Sequence, residues 1–153
     1  MGRDDEVIDE ELGRTFRTNI FAYLSMARAA LSHMKAGAAI VKTGSVAGYE
    51  GPKALLDYAA TRGAIHAFTK SPGSSLIGRQ IRVDCVPPGP IWTPLNAPRA
   101  TRGTWPTSTR KVPMGRAGQP EEAAPAYVLF AAEAVSSDIS GEVLAVHGGK
   151  SLA

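Results

Sequence analysis

The 153-residue sequence predicts an α/β fold, one compact unit of about three parallel strands with flanking helices. Three observations predict it. Long stretches with apolar residues three and four apart alternate with short apolar runs of strand length. No internal repeat or linker divides the chain, so residues 1–153 read as a single domain. A composition 44% hydrophobic and 20% charged is that of a globular chain large enough for one core.

The elements follow in order. From Asp9 to about Lys35, Leu12, Phe16, Ile20, Tyr23, Leu24, Ala27 and Leu31 recur at helical spacing, and the acids at the start suit a helix N-terminus. Gly37 marks the turn into a strand that begins Ala38–Val41 and reaches toward Thr43. From Tyr58 a second helical pattern runs through Ala60, Ala64, Ile65 and Phe68 toward Leu76. Pro72-Gly73 interrupts it. An interior proline costs about 3 kcal/mol, so a kink or break is expected near Lys70. Ile81–Val86 reads as a second strand with Cys85 in the core, leading into the turn PPGP. The loop beyond carries Trp92 and Trp105, either substrate contacts or cover for the core. Pro120-Glu121-Glu122 starts a last helix with Tyr127, Val128, Phe130 and Ala131, and Glu142–Val146 is the closing strand.

The net charge of +3 is modest but uneven. Asp4, Asp5, Glu6, Asp9, Glu10 and Glu11 crowd the start, while the interval between Asp84 and Glu121 holds Arg99, Arg102, Arg110, Lys111 and Arg116 and no acid. That interval lacks the aromatic interleaving and fold signature of a nucleic-acid surface, so it reads as a solvated loop. One cysteine excludes an internal disulfide. No apolar run is long enough to span a bilayer and no signal peptide is visible, which points to the cytoplasm. His33 and His66 have no second ligand at metal spacing and read as structural or surface residues, and no metal site is expected.

The chemistry gathers between Thr43 and Arg62, TGSVAGYEGPKALLDYAATR. Ser45 follows the first strand, and Tyr58 and Arg62 stand one helical turn apart on one face. A phenol transfers a proton near neutral pH only where a neighbouring positive charge stabilises its anion, and a serine hydroxyl can bind the oxygen of a carbonyl or alcohol. The three residue types point to proton transfer at oxygen.

These residues resemble the short-chain dehydrogenase/reductase family, whose catalytic Ser, Tyr and Lys follow a Ser-(x12)-Tyr-(xxx)-Lys pattern. Ser45 and Tyr58 match it, and Arg62 stands at the lysine position. Asn19 in RTNIFAYL resembles the family's catalytic Asn. Pro88, Gly89 and Thr93 in PPGPIWT resemble the Pro-Gly-xxx-Thr stretch that closes over the nicotinamide. MGRAGQPEE and SGEVLAVHGG resemble the last helix and strand, so the likeness runs from about Asp9 to the end. The resemblance implies a Rossmann-like, doubly wound sheet, a small carbonyl or alcohol substrate, NAD or NADP as cofactor, and a homo-oligomer paired through helices 9–35 and 58–76. The family's glycine-rich turn, which seats the pyrophosphate on a helix N-terminus, has no counterpart here. The chain therefore looks like the carboxyl-terminal half of such a reductase and is expected not to bind NAD(P) alone. Arginine's wider fork, which does not give up its proton, also puts cofactor contact in doubt.

Two other readings stay open. Ser45, activated by Tyr58 beside Arg62, would be the nucleophile of an esterase, although GSVAG is not a G-x-S-x-G elbow. Alternatively the chain is a non-catalytic dimerisation or scaffold remnant, in keeping with the changes at Arg62, Pro72 and Asp84.

Overall fold

The computed structural model describes residues 9–94 and 112–152. Trp105, Arg99, Arg102, Arg110, Lys111 and the acids Asp4, Asp5 and Glu6 lie outside the described residues. The first helical stretch is α1 (Asp9–Phe16), a π-helical turn (Arg17–Phe21) and α2 (Ala22–Leu31). Phe16, Phe21 and Ala22 all keep right-handed helical dihedrals, so the three parts form one rod, which ends at Leu31 rather than near Lys35. Gly37 then turns the chain at φ 84°, a left-handed value that a side chain resists.

After β1 (Ala39–Thr43) and the one-turn α3 (Ala47–Glu50) comes α4 (Leu56–Ser75), then a 3-10 turn (Ile77–Arg79) and β2 (Arg82–Val86). The last helices are α5 (Pro120–Ala131) and α6 (Glu133–Ser136). The start of α5 is built as the sequence predicts. Glu122 accepts the Gln119 backbone N–H at 2.8 Å in a capping box, and Arg116 clamps the same carboxylate through contacts of 2.6 and 2.7 Å. That clamp holds Glu122 down to about 2.

β1 and β2 pair in parallel, Ala39 opposite Arg82 through Thr43 opposite Val86. The expected third strand follows β2 only as isolated parallel bridges, Cys85 to Val143 and Pro88 to Val146. Its hydrogen bonds run Cys85 N to Glu142 O, Leu144 N to Cys85 O, Val146 N to Pro87 O and Gly89 N to Val146 O. In that alternation the next donor would be residue 87, a proline with no N–H, and the ladder breaks there. Helices cover both faces of the sheet. Phe130 and Ala126 of α5 pack on Val86 and Val41, while Ile65, His66 and Thr69 of α4 are buried on the other side with Cys85, which has no exposed surface.

The break expected near Lys70 is absent, since α4 continues through Pro72 to Ser75. Pro72 sits in the last turn of the helix, so little follows for it to disrupt, and its carbonyl still accepts from Leu76 N at 2.9 Å. Gly73 is required there by a distant neighbour, because a Cβ on it would lie 2.6 Å from the backbone of Gly141. Gly73→Ala is therefore expected to destabilise by about 1–3 kcal/mol, the usual cost of forcing atoms into a packed contact. Urea unfolding checks this, and an unchanged midpoint would mean that α4 and the Gly141 turn separate freely.

Candidate active site

The parallel ladder carries the two site loops to the same end of the sheet. Gly44 N donates to Val86 O at 2.9 Å and Val46 N to Pro88 O at 3.1 Å, so Ser45 is held between two rungs beside the Pro88–Gly89 turn. Thr93 is half-buried beyond that turn, and Trp92 is 45% exposed. In open α/β sheets this carboxyl end of the strands is where ligands bind.

Tyr58 and Arg62 lie one turn apart on α4, and Arg62 reaches the end of β1. The Arg62 guanidinium stacks over the Tyr58 ring, 4.7 Å from its centroid, and its Nη1 donates to the Thr43 carbonyl at 3.1 Å. Tyr23 donates its hydroxyl to the same carbonyl at 3.2 Å. The cation is thus pinned between the tyrosine and the strand end two residues before Ser45. Its fork makes this possible, because one nitrogen reaches the carbonyl while the plane covers the ring.

Asn19 reaches the site region through α4. Its Nδ2 donates to Thr61 Oγ1 at 3.1 Å, and Thr61 in turn donates to the Tyr58 carbonyl at 2.7 Å. One turn earlier Thr15 donates to Asp57 at 2.6 Å, so a two-rung ladder ties the first rod to α4. That bond is the main cause holding the Asp57 carboxyl below its ordinary value. The π-turn carrying Asn19 inserts an extra residue into the rod, a feature frequent at functional sites.

Ser45 Oγ accepts the Ala47 backbone N–H at 3.2 Å. Behind the loop His66 is buried and stacks on Tyr49 with ring centroids 4.5 Å apart, and its Nε2 accepts from Ser45 N at 3.4 Å. Burial chiefly, with Arg62 and Lys42 nearby, keeps this imidazole below its usual value and hence neutral and able to accept. His66 is a structural residue of the serine loop, and His33 is exposed on the surface.

Sequence reasoning named Ser45, Tyr58, Arg62 and Asn19 but missed the residues that touch them: Thr43, Thr61 and His66, with Tyr23 on the same Thr43 carbonyl as Arg62. Tyr23 stands one turn after Asn19 and Thr61 directly before Arg62, and those spacings were the available signal. An open hollow of about 570 Å³ is lined by Ala47, Tyr49, Pro52, Leu56 and Ala59, but neither Tyr58 nor Arg62 lines it.

Among the described residues, the first turns of α1, α4 and α5 carry acids. Asp9, Glu10 and Glu11 occupy the first turn of α1, Asp57 that of α4, and Glu121 and Glu122 that of α5, so the helix N-termini that would attract phosphate already hold carboxylates. Gly89 packs against the chain itself, since a Cβ on it would lie 3.0 Å from His147 Cα. Among the described residues no cluster of His, Cys, Asp and Glu could hold a metal, and no helix is long and apolar enough to cross a membrane.

A family profile described as enoyl-(acyl carrier protein) reductase matches residues 2–151. A glucose and ribitol dehydrogenase of Daucus carota is 50% identical over 145 residues, 95% of this chain and 50% of its own length. The chloroplastic NADPH-dependent aldehyde reductase 1 of Arabidopsis thaliana is 48% identical over the same shares. The chain spans about half the length of these relatives. Among solved structures, a 3-oxoacyl (acyl-carrier-protein) reductase from Agrobacterium tumefaciens C58 with NADP bound superposes with a TM-score of 0.88 at 28% identity, over 97% of this chain and 59% of that one. With the profile spanning nearly every residue and the strands, helices and site loops in the expected order, the chain belongs to the short-chain dehydrogenase/reductase family.

Proposed function

We propose that this chain carries the proton-transfer side of an NAD(P)-linked oxidoreductase acting on a carbonyl or alcohol, and that it does not hold the dinucleotide by itself. The observation that carries this reading is the Arg62 guanidinium stacked on Tyr58 and anchored to the Thr43 carbonyl beside Ser45. In such chemistry the nicotinamide supplies or takes the hydride. This chain's residues act on the oxygen: Ser45 Oγ steadies it, the Tyr58 hydroxyl gives or takes its proton, and Arg62 stabilises the phenolate that results. Asn19 acts through Thr61 as a positioning residue for α4. Pro88, Gly89 and Thr93 form the wall on the nicotinamide side. The members named for NADP or NADPH favour a choice between NAD and NADP rather than another hydride donor.

Arg62→Lys tests the cation. The ammonium matches the family pattern at this position, so any residual reductase turnover of an aldehyde, read at millimolar NADPH where no tight dinucleotide seat is needed, is expected to rise in this variant. Turnover unchanged or lower would show that the arginine serves another purpose. The esterase reading has less behind it, because Ser45 Oγ faces the Ala47 N–H and His66 addresses the serine's backbone rather than its hydroxyl.

We further propose self-association, which the scaffold reading shares. Phe21 is 56% and Met26 73% exposed on the first rod, and Leu56 57% on α4. Among the described residues β1 has a ladder neighbour on one side only. A homodimer through helices 9–35 and 58–76 would bury these apolar side chains. Light scattering at low micromolar concentration is expected to give at least twice the chain mass of 16.1 kDa. A monomer at that concentration would contradict it.

A further inference from the structure

We propose that the half-open cavity of about 180 Å³ between α2, α4 and the sheet binds a small apolar carboxylate, with the Lys42 ammonium receiving the anionic head. Its walls are Leu24 and Leu31 from α2, Ile40 and Val83 from the strands, and Phe68 and Leu76 from α4 and its end. No acidic residue lines it. Lys42 enters from near the end of β1 and is only 4% exposed, yet its Nζ has no hydrogen-bond partner and rests over the Phe68 ring at 4.6 Å. A charged amine so placed lacks the acceptor that buried cations require.

The carboxylate nearest in sequence pairing is Asp84, and it is engaged elsewhere. Lys42 is the register partner of Cys85, so Asp84, one residue away, points to the opposite face of the sheet. There its Oδ1 accepts from Glu142 N at 3.0 Å, and Arg82 lies on the same side. Arg28, exposed on α2, adds a second positive charge to the lining. Burial lowers the Lys42 amine to about 8, which still leaves it mostly protonated at neutral pH and ready for an anion. The volume is close to the roughly 150 Å³ of an apolar cavity that takes a benzene ring, enough for a tail of about six carbons. None of Ser45, Tyr58 and Arg62 lines the cavity, so this site is independent of the proposed reductase chemistry.

Sodium hexanoate titrated calorimetrically into the full chain tests the proposal, with 1-hexanol and sodium acetate as comparison probes. Saturable hexanoate binding is expected, with hexanol, which keeps the tail, and acetate, which keeps the charge, each weaker by about ten-fold or more. Lys42→Met retains the length of the side chain without its charge. It is expected to weaken hexanoate about ten-fold and leave hexanol unchanged. Ala27→Leu, which fills the cavity from α2 and leaves Lys42 in place, should weaken both hexanoate and hexanol. No saturable hexanoate binding would overturn the proposal, as would hexanoate affinity unaltered in Lys42→Met or acetate binding as tightly as hexanoate.

Discussion

Arg82→Ala is expected to destabilise the chain by about 3–5 kcal/mol, the cost of breaking a buried charge pair from one side. Arg82 is 4% exposed, and its Nη1 donates to the Phe130 carbonyl at 2.7 Å and to Ser136 Oγ at 2.9 Å, joining β2 to the end of α5 and to α6. Asp84 has no exposed surface, and its Oδ2 lies 3.9 Å from the guanidinium. At that distance there is attraction but no hydrogen bond. Burial therefore outweighs the pairing, and the Asp84 carboxyl is pushed up. Its contribution to stability is full below the ordinary carboxylate range and is lost as pH rises through the raised folded value. Removing Arg82 takes away the compensating charge, so the deficit should be large at neutral pH and smaller in acid, where Asp84 is protonated. Against a typical domain stability of about 5–15 kcal/mol the loss would leave little folded chain. Arg82→Met combined with Asp84→Asn, which keeps the acceptor for Glu142 N and removes both charges, should recover most of it. Urea unfolding of the three proteins decides, and a loss below about 1 kcal/mol in Arg82→Ala would show the pair to be energetically idle.

Tyr58→Phe is expected to lower the residual reductase turnover seen at millimolar NADPH by about 10²–10⁴-fold, the usual worth of a positioned proton donor, or about 3–5 kcal/mol of barrier. The substitution isolates the hydroxyl, because the phenyl ring remains to stack under Arg62 and the helix keeps its Thr61 bond to the residue-58 carbonyl. Unfolding midpoints should therefore match the parent. Steady-state rates with a simple aldehyde and millimolar NADPH, a concentration that does not rely on a tight dinucleotide seat, make the comparison, and a variant within a few-fold of the parent would remove Tyr58 from the chemistry.

The parts of this molecule set by local pattern could be read from its sequence. The helical spacing of Leu12 to Leu31, the Pro-Glu-Glu start of α5 and the strand runs at Ala39 and Arg82 all declare themselves within a dozen residues. What escaped depends on distant partners. Pro72-Gly73 looked like a helix break, yet Gly73 answers to Gly141 across the fold. The third strand looked continuous, and its ladder fails at Pro87, just past the end of the neighbouring strand. The Ser45–Tyr58–Arg62 spacing was legible because it follows one strand and one helix. Arg62's hold on Thr43 and the burial of Lys42, Arg82 and Asp84 were not, since alternation within IVKT and IRVDCV does not say which face lies under a helix. The π-turn at Asn19 left no trace either, because the apolar spacing of the rod runs through it unchanged.

The division of labour proposed for this chain, proton transfer without a phosphate seat, is tested most directly by calorimetric titration of NADH and NADPH into the purified protein. Acidic first turns on α1, α4 and α5 predict no saturable heat for either dinucleotide at micromolar concentration. Saturable micromolar binding of one of them would contradict the account and place a phosphate site within these 153 residues.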